Sequence, residues 1–188
     1  MRARSIFVVA AAMALTGASA SPKRSVDVTE ALNFADVKNC VFSERTEAIF
    51  KAMLTPVAKS RRWTTAPKIR LGAISIPTKR MVFDRKDVEP GGKFYEVKAP
   101  MPPGVRWHGL SLISIERQQS DYIGVDNFGQ RTFIFSEPPA KVQAVMKSIG
   151  VQVPLAPKYQ EFDDGGCGGA MSVAAVKQGT AFACNWGC

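Results

Sequence analysis

The sequence predicts an α+β fold: a single domain with an antiparallel sheet of about six to eight strands and two main helices. Two segments carry apolar residues at helical spacing, and the segments between them change to the alternation and β-branched content of strands. Short turns rich in Gly, Pro, Asn and Asp separate those strands. Because neighbouring strands joined by short turns pair antiparallel, we expect both helices on one face or end of the sheet.

Residues 1–20 have the composition of a secretory signal peptide. Arg2 and Arg4 precede an apolar run over 6–15, and small residues at 18–20 form a cleavage site. The run is shorter than the roughly 20 residues that a membrane span needs, and no later segment reaches that length. We therefore expect an exported chain, periplasmic or secreted, in a compartment oxidising enough for disulfides.

The rest of the chain has the length of one domain. Residues 21–36 carry little periodic signal and are predicted to be a flexible lead-in. Residues 37–188 show no repeat, long linker or composition break, which predicts one α+β domain.

The first helix is predicted to begin after Ser43, an N-cap residue type, and to end before Pro56. The second begins at Pro138 and ends at Gly150. Apolar residues recur at helical spacing in both. They are Ala48, Ile49, Ala52 and Met53 in the first helix, and Val142, Val145, Met146 and Ile149 in the second.

Strand patterns cover most of the remaining domain. They lie at 69–76, 81–84, 93–98, 105–117, 122–125, 131–135, 171–176 and 180–186. In 105–117, the longest, the apolar residues change phase between Leu112 and Ile113, which indicates a β-bulge or a strand covered on both faces. Residues 126–129 and 177–179 are predicted hairpin turns.

The four cysteines allow three disulfide pairings. An extended chain would hold Cys184 and Cys188 about 13 Å apart, against the roughly 4.4–6.8 Å between Cα atoms that a disulfide needs. A hairpin turning at 177–179 sets Cys167 nearly opposite Cys188, which leaves Cys40 for Cys184. We favour this pairing, which staples the C-terminal hairpin and ties it to the first helical region.

The formal net charge is +9, or +7 without Arg2 and Arg4 of the signal peptide. Residues 51–98 hold twelve Lys and Arg against four acidic residues. Such a region favours an anionic partner, either an acidic protein or an anionic envelope polymer, although a basic surface can also be merely solvated. No nucleic-acid-binding module surrounds it, and exported proteins seldom meet nucleic acid.

By elimination, the chain is predicted to be a non-catalytic binding protein. An inhibitor, an immunity protein or an envelope accessory factor would fit, with another protein as its partner. Exposed aromatic residues beside basic ones are the predicted anchors of the interface. These are Arg61, Arg62, Trp63, Arg106 and Trp107, the last two within a proline-rich loop over 100–107.

The alternative is a thiol enzyme, a hydrolase or transferase with Cys167 as nucleophile and His108 as base. His108 is the chain's only histidine, and it falls in the predicted strand at 105–117 with Leu110 and Leu112, where a structural role is commoner. No Gly-x-Ser-x-Gly elbow occurs. With one histidine and bridged cysteines few soft ligands remain, so we expect neither a metal site nor a cofactor.

Overall fold

The computed structural model describes residues 25–58, 62–84, 93–120, 128–163 and 168–187. Several predicted features lie outside these residues: the signal peptide, the strand at 122–125, Arg61, Cys167 and Cys188. The predicted α+β class is confirmed, with two α-helices, α1 (Glu44–Met53) and α2 (Pro139–Ser148), beside a large sheet that is mostly antiparallel.

Strands make up most of the described chain. In order they are β1 (Val26–Asp27), β2 (Phe34–Asp36), β3 (Val41–Phe42), β4 (Thr55–Pro56), β5 (Trp63–Thr64), β6 (Lys68–Leu71), β7 (Ile74–Pro77), β8 (Lys79–Asp84), β9 (Lys93–Pro100), β10 (Val105–Trp107), β11 (Leu110–Ser120), β12 (Phe128–Phe135), β13 (Gln160–Phe162), β14 (Gly169–Val176) and β15 (Gly179–Gly187).

Within the described residues, nine strands form the main sheet. Seven follow the order β1-β10-β11-β12-β15-β14-β13, and the other two, β9 and β8, branch from β11. The long strand β11 pairs with β12 along one edge, while β10 and β9 share its other edge, and β8 pairs with β9. The two-residue contact between β1 and β10 is parallel, as is an isolated bridge from Leu155 to Val173 of β14. Three further hairpins, β2–β3, β4–β5 and β6–β7, stand outside it.

One hydrophobic core lies on the inner face of the main sheet, and both helices bury side chains in it. Its centre is aromatic, because Phe133 of β12 contacts the rings of Phe42, Phe50, Trp107 and Phe182 within about 6 Å between centroids. Apolar side chains on alternate residues of the strands explain this placement, since they all reach the same face of the sheet.

Both helices match their predicted ends. Ser43 is the N-cap of α1, and its hydroxyl accepts a hydrogen bond from the backbone N–H of Thr46 at 3.3 Å. Helix α2 has Pro139 in its first turn, and Gly150 follows its end with φ of 101°, a left-handed conformation that glycine adopts readily.

The C-terminal hairpin is also confirmed. Strands β14 and β15 pair from Gly169 opposite Trp186 to Val176 opposite Gly179. The disulfide between Cys40 and Cys184 forms with 6.1 Å between Cα atoms, and it links β15 to the segment that precedes α1. This covalent bond is compatible with export to an oxidising compartment.

Two predicted strands were wrong in extent because each contains a tight turn. Residues 69–76 form the hairpin β6–β7, which turns at Gly72 with φ of 60°. Residues 105–117 divide between β10 and β11, which turn at His108 and Gly109 with φ of 46° and 78°. Two left-handed residues in a two-residue loop are typical of a type I′ hairpin.

The phase change in the apolar pattern of β11 has the predicted cause, a register irregularity between Leu112 and Ser114. The predicted turn at 126–129 was wrong at its second half, because Phe128 and Gly129 already pair with Gly187 and Trp186 as part of β12. A longer ladder with β15 explains the earlier start of the strand.

The described part of the predicted lead-in, residues 25–36, is ordered. It contains β1, a short 3₁₀ turn (Thr29–Ala31) and β2, and Leu32 is fully buried. The backbone carbonyl of Leu32 accepts a hydrogen bond from the indole N–H of Trp107 at 2.7 Å. The apolar residues of this segment show no helical or strand periodicity, because they are buried one at a time and not along one face of a regular element.

Among the described residues, neither helix has the length and apolarity to cross a membrane.

Candidate functional site: the basic edge of the sheet

Strand β8 forms one end of the main sheet. It pairs along all six residues with β9, and within the described residues no strand lies on its other side. An edge strand offers unpaired backbone N–H and C=O groups to a further strand. The position of β8 therefore makes it a place where an extended segment can add to the sheet.

The side chains of β8 are unusually apolar for an edge. Met81, Val82 and Phe83 are 37%, 43% and 47% exposed. Natural edge strands are commonly protected by charge, proline or a covering element. Three successive exposed apolar residues on a sheet edge instead indicate an interaction surface.

Exposed basic residues lie in β8 itself and in the two hairpins that precede it in the chain. The hairpin β6–β7 leads directly into β8, and the backbone N–H of Thr78 at the junction donates to the carbonyl of Pro67 at 3.0 Å. We call the whole surface the basic edge. It consists of Arg62, Lys68, Arg70, Lys79 and Arg80 together with Met81, Val82 and Phe83.

Two of the predicted anchor residues belong to this surface or border it. Arg62 is exposed, and Trp63 is half-buried in β5. The Arg80 guanidinium donates to the backbone carbonyl of Trp63 at 2.9 Å, which joins the β4–β5 hairpin to β8. The guanidinium carbon of Arg117 lies 5.7 Å from the centroid of the Trp63 ring. Arg117 therefore covers the face of that ring that is turned toward the sheet.

Two further arginines, Arg117 and Arg131, lie in the same row across the sheet as Arg80 of the basic edge. Arg80 lies opposite Val97, Val97 lies opposite Arg117, and Arg117 lies opposite Arg131. The Arg117 guanidinium donates to the carbonyls of Phe50 and Leu54 at the C-terminal end of α1, at 2.6 and 2.8 Å.

Arg131 forms a two-point ion pair with Glu47 of α1, at 2.5 and 2.9 Å between nitrogen and oxygen. Its guanidinium carbon lies 4.3 Å from the ring centroid of Trp186. Burial and the positive charge of Arg131 together lower the pKa of Arg117 to about 10, while the negative charge of Glu47 opposes that shift. The pKa of Arg131 is also lowered by burial, while Glu47 opposes that shift. We infer that Arg117 and Arg131 attach α1 to the sheet.

Arg106 and Trp107 do not join the basic edge. Trp107 was predicted to be an exposed anchor, but it is fully buried in the core with its indole N–H bonded to Leu32, so that prediction was wrong. Arg106 is exposed, but it lies opposite Ser111 of β11, six residues from the row of Arg117. Six strand residues span about 20 Å, which is too far for one side-chain cluster.

Of the two residues of the thiol-enzyme alternative, Cys167 lies outside the described residues. His108 lies two residues before Leu110, the first residue of β11.

The sequence predicted that His108 lies in a strand, and this was wrong. His108 lies in the turn between β10 and β11. Its ring contacts the edge of Trp107 at 4.4 Å between centroids, and its backbone N–H donates to the Thr29 hydroxyl at 2.7 Å. Partial burial lowers the pKa of His108, and the negative charge of Asp27 opposes that shift. These contacts give His108 a structural role in the turn.

Glu96 and Glu116 come together on the face of the sheet away from the core. Lys98 lies between them, with its ammonium 2.8 Å from Glu96 and 3.1 Å from Glu116. Burial lowers the pKa of Lys98, but its hydrogen bonds to the two carboxylates outweigh this, and the net shift is upward. The ammonium bridges the two carboxylates and offsets one of their two negative charges. The sequence showed only scattered charges here.

In the described ranges, no three His, Cys, Asp or Glu side chains meet in an arrangement that would hold a metal ion.

Sequence reasoning identified 81–84 as a short strand but missed Met81, Val82 and Phe83 as surface residues. Their apolar character predicts burial, and nothing local tells an edge strand from a central one. The basic composition of 51–98 was the one available signal for this surface.

Comparison with known proteins adds no family to these observations. No protein-family model matches the chain, and neither does any curated protein or solved structure.

Proposed function

We propose that this protein is an exported, non-catalytic binding protein that captures an acidic protein partner at the basic edge. The observation that carries the proposal is the apolar edge strand β8, exposed at Met81, Val82 and Phe83 among basic residues. An inhibitor, an immunity protein or an envelope accessory factor would act in this way. The predicted signal peptide and the Cys40–Cys184 disulfide support an exported location.

Strand addition is the mode of binding that this geometry supports best. An extended segment placed beside β8 would pair with its outer backbone groups, and pockets between alternate side chains would provide specificity. Met81 lies opposite Glu96 and Phe83 opposite Phe94, so both project to one face of the sheet while Val82 projects to the other. Apolar residues on one face of the added strand would therefore contact Met81 and Phe83, and those on its other face would contact Val82.

Charge determines which extended segment fits. The basic edge presents Arg62, Lys68, Arg70, Lys79 and Arg80, and their field attracts acidic segments and repels basic ones. An anionic envelope polymer would share the charge but would make no backbone ladder with β8. The sensitivity of binding to the backbone of β8 therefore distinguishes the two partners.

The test is site-specific photo-cross-linking in the producing cells. A photoreactive phenylalanine analogue replaces Phe83, and cross-linked peptides are identified by mass spectrometry. We expect one partner protein, cross-linked within a segment that alternates acidic and apolar residues. The same analogue at Gln160, on the strand β13 at the other end of the sheet, is the matched control and should not yield that partner.

Proline substitutions then test the ladder itself with the purified partner. Met81→Pro and Val82→Pro differ by one position, so one removes an N–H directed toward β9 and the other an N–H directed outward. The variant that stays folded should lose at least about tenfold in affinity. Binding unchanged in that variant, or cross-links only to polymer, would overturn the proposal.

A further inference from the structure

A groove runs beside helix α2, between the helix and the segment 152–160. Its volume is about 630 Å³, within the range of about 300–1,000 Å³ that is usual for small-molecule sites. The helix contributes four residues at i, i+3, i+4 and i+7, which share one side of α2: Ala140, Gln143, Ala144 and Lys147. The buried Val142 and Met146 occupy a different side, toward the core. The four residues are therefore not part of the core and form one wall of the groove.

The opposite wall is held by hydrogen bonds made inside the fold. The N–H of Val173 in β14 donates to the carbonyl of Pro154 at 3.1 Å, and its carbonyl accepts from the N–H of Ala156 at 2.8 Å. The side-chain amide of Gln143 donates to the carbonyl of Val153 at 2.7 Å, which ties α2 to this segment. Because these backbone groups are already paired, recognition of a ligand in the groove depends on side chains.

Lysines and glutamines provide most of the polar side chains of the groove. Lys147 and Lys158 are exposed, and so are Gln152 and Gln160. A smaller cavity of about 360 Å³ shares Gln152 and Gln160 with the groove and adds a third exposed lysine, Lys38. Among the described residues that line the two cavities there is no Asp or Glu. An anion would therefore meet ammonium groups there and no carboxylate of these residues.

The acidic residue next to Gln160 in the chain, Glu161, faces away from the groove. Gln160 lies opposite Met171 in the β13–β14 ladder, and Met171 is buried in the core and also lines the smaller cavity. Glu161 lies opposite Ala170. Since successive residues of a strand project to opposite faces of the sheet, Gln160 projects to the core face and Glu161 to the other. The groove is thus separated from this carboxylate by the sheet itself.

We propose that this groove binds an anionic saccharide, independently of the capture of a protein at the basic edge. The ammonium groups of Lys147 and Lys158 attract the anionic group. Each glutamine amide both donates and accepts hydrogen bonds, as a sugar hydroxyl does, so the amides match a ligand with many hydroxyl groups. Gln143 and Gln160 each donate one N–H to a backbone carbonyl, which orients the amide before a ligand arrives.

Other classes of ligand would use less of this lining. An inorganic anion would pair with the lysines and leave the glutamines unused. An apolar ligand would have to desolvate two lysines and three glutamines, and Tyr159 is the only aromatic residue among the described residues that line the groove. An acidic peptide would lack a backbone ladder at the paired groups of Pro154 and Ala156.

The test is a printed array in which oligosaccharides that carry carboxylate, sulfate or phosphate groups stand beside their neutral parents. We expect the mature protein to bind acidic members and to bind the neutral parents at least about tenfold more weakly. The acidic member that binds best is then titrated by calorimetry. Lys147→Gln and Lys158→Gln should each weaken its binding about fivefold or more. Lys141→Gln is the matched control, because Lys141 is exposed on the same helix but does not line the groove.

Four results would overturn the proposal. The first two are binding to no acidic member of the array and equal binding to acidic members and their neutral parents. The third is competition by triglutamate at the same concentration as the saccharide, which would indicate an acidic peptide. The fourth is binding lost in Lys79→Gln but kept in Lys147→Gln, which would place the saccharide at the basic edge. Cross-linking at Phe83 tests the capture of a protein separately, so either proposal can fail without the other.

Discussion

Arg117 and Arg131 lie directly opposite each other in the β11–β12 ladder, and both hold helix α1. Arg117 donates to the carbonyls at the end of the helix, and Arg131 pairs with Glu47 in its first turn. Like charges placed opposite each other in a sheet repel. The helix compensates for that repulsion by offering a carboxylate at one end and carbonyl groups at the other, where its dipole is negative.

The ion pair between Glu47 and Arg131 should contribute measurably to stability. Glu47→Gln leaves the largely buried Arg131 without its counter-charge, and we expect a loss of about 1–2 kcal/mol in the free energy of unfolding, measured in urea. Glu44→Gln is the control, because it removes an acid from the same first turn but is exposed. It should cost about 0.5 kcal/mol. Equal losses would show that only the helix dipole is involved.

His108 should make the protein sensitive to acid. Its pKa is lower in the folded chain than the ordinary 6.5, so the unfolded chain binds the proton more readily. Stability should therefore fall as the pH drops below about 6.5 and level off below the folded pKa. His108→Asn keeps a residue that tolerates the left-handed turn, and its stability should lack this decline. Because His108 is the only histidine, an unchanged decline would contradict the assignment.

The turn itself can be tested at the same position. His108 has φ of 46°, a conformation that costs most residues roughly 1–2 kcal/mol. We expect His108→Ala to be about 1 kcal/mol less stable than His108→Asn in thermal or urea unfolding. If His108→Ala were equally stable, the left-handed turn would not be under strain.

The Cys40–Cys184 disulfide closes a loop with a sequence separation of 144 residues. For a loop of that length, the chain-entropy model gives a stabilisation of about 5 kcal/mol. We expect the double variant Cys40→Ser, Cys184→Ser to unfold at much lower urea concentration than the wild type. Addition of reductant should lower the midpoint of the wild type and leave that double variant less affected. Equal midpoints with and without the bridge would contradict this role.

The pairing of Cys167 with Cys188 remains a prediction. Residue numbers of partners in the β14–β15 ladder sum to 355, as for Gly169 and Trp186, and those of the two cysteines have the same sum. Non-reducing peptide mapping of the exported protein should find them joined. Rapid labelling of Cys167 by a thiol reagent at mildly acidic pH would instead indicate a free thiolate.

The sequence by itself determined the elements whose cause is local. Ser43 and Gly150 bound the helices because a cap depends on the residue at the helix end. The predicted turn at 177–179 was one residue too long, because Gly179 already pairs with Val176, but it located the last hairpin closely enough to pair Cys40 with Cys184.

Only the tertiary structure decided which residues lie at the surface and which meet. Trp107 and Met81 are both apolar residues in strands, yet β10 lies under Phe133 and Leu32 while β8 lies at the end of the sheet. Arg117 and Arg131 became partners through the register of β11 and β12, which no local pattern specifies. Burial depends on the order of strands in the sheet, and that order is fixed by contacts between residues far apart in the chain.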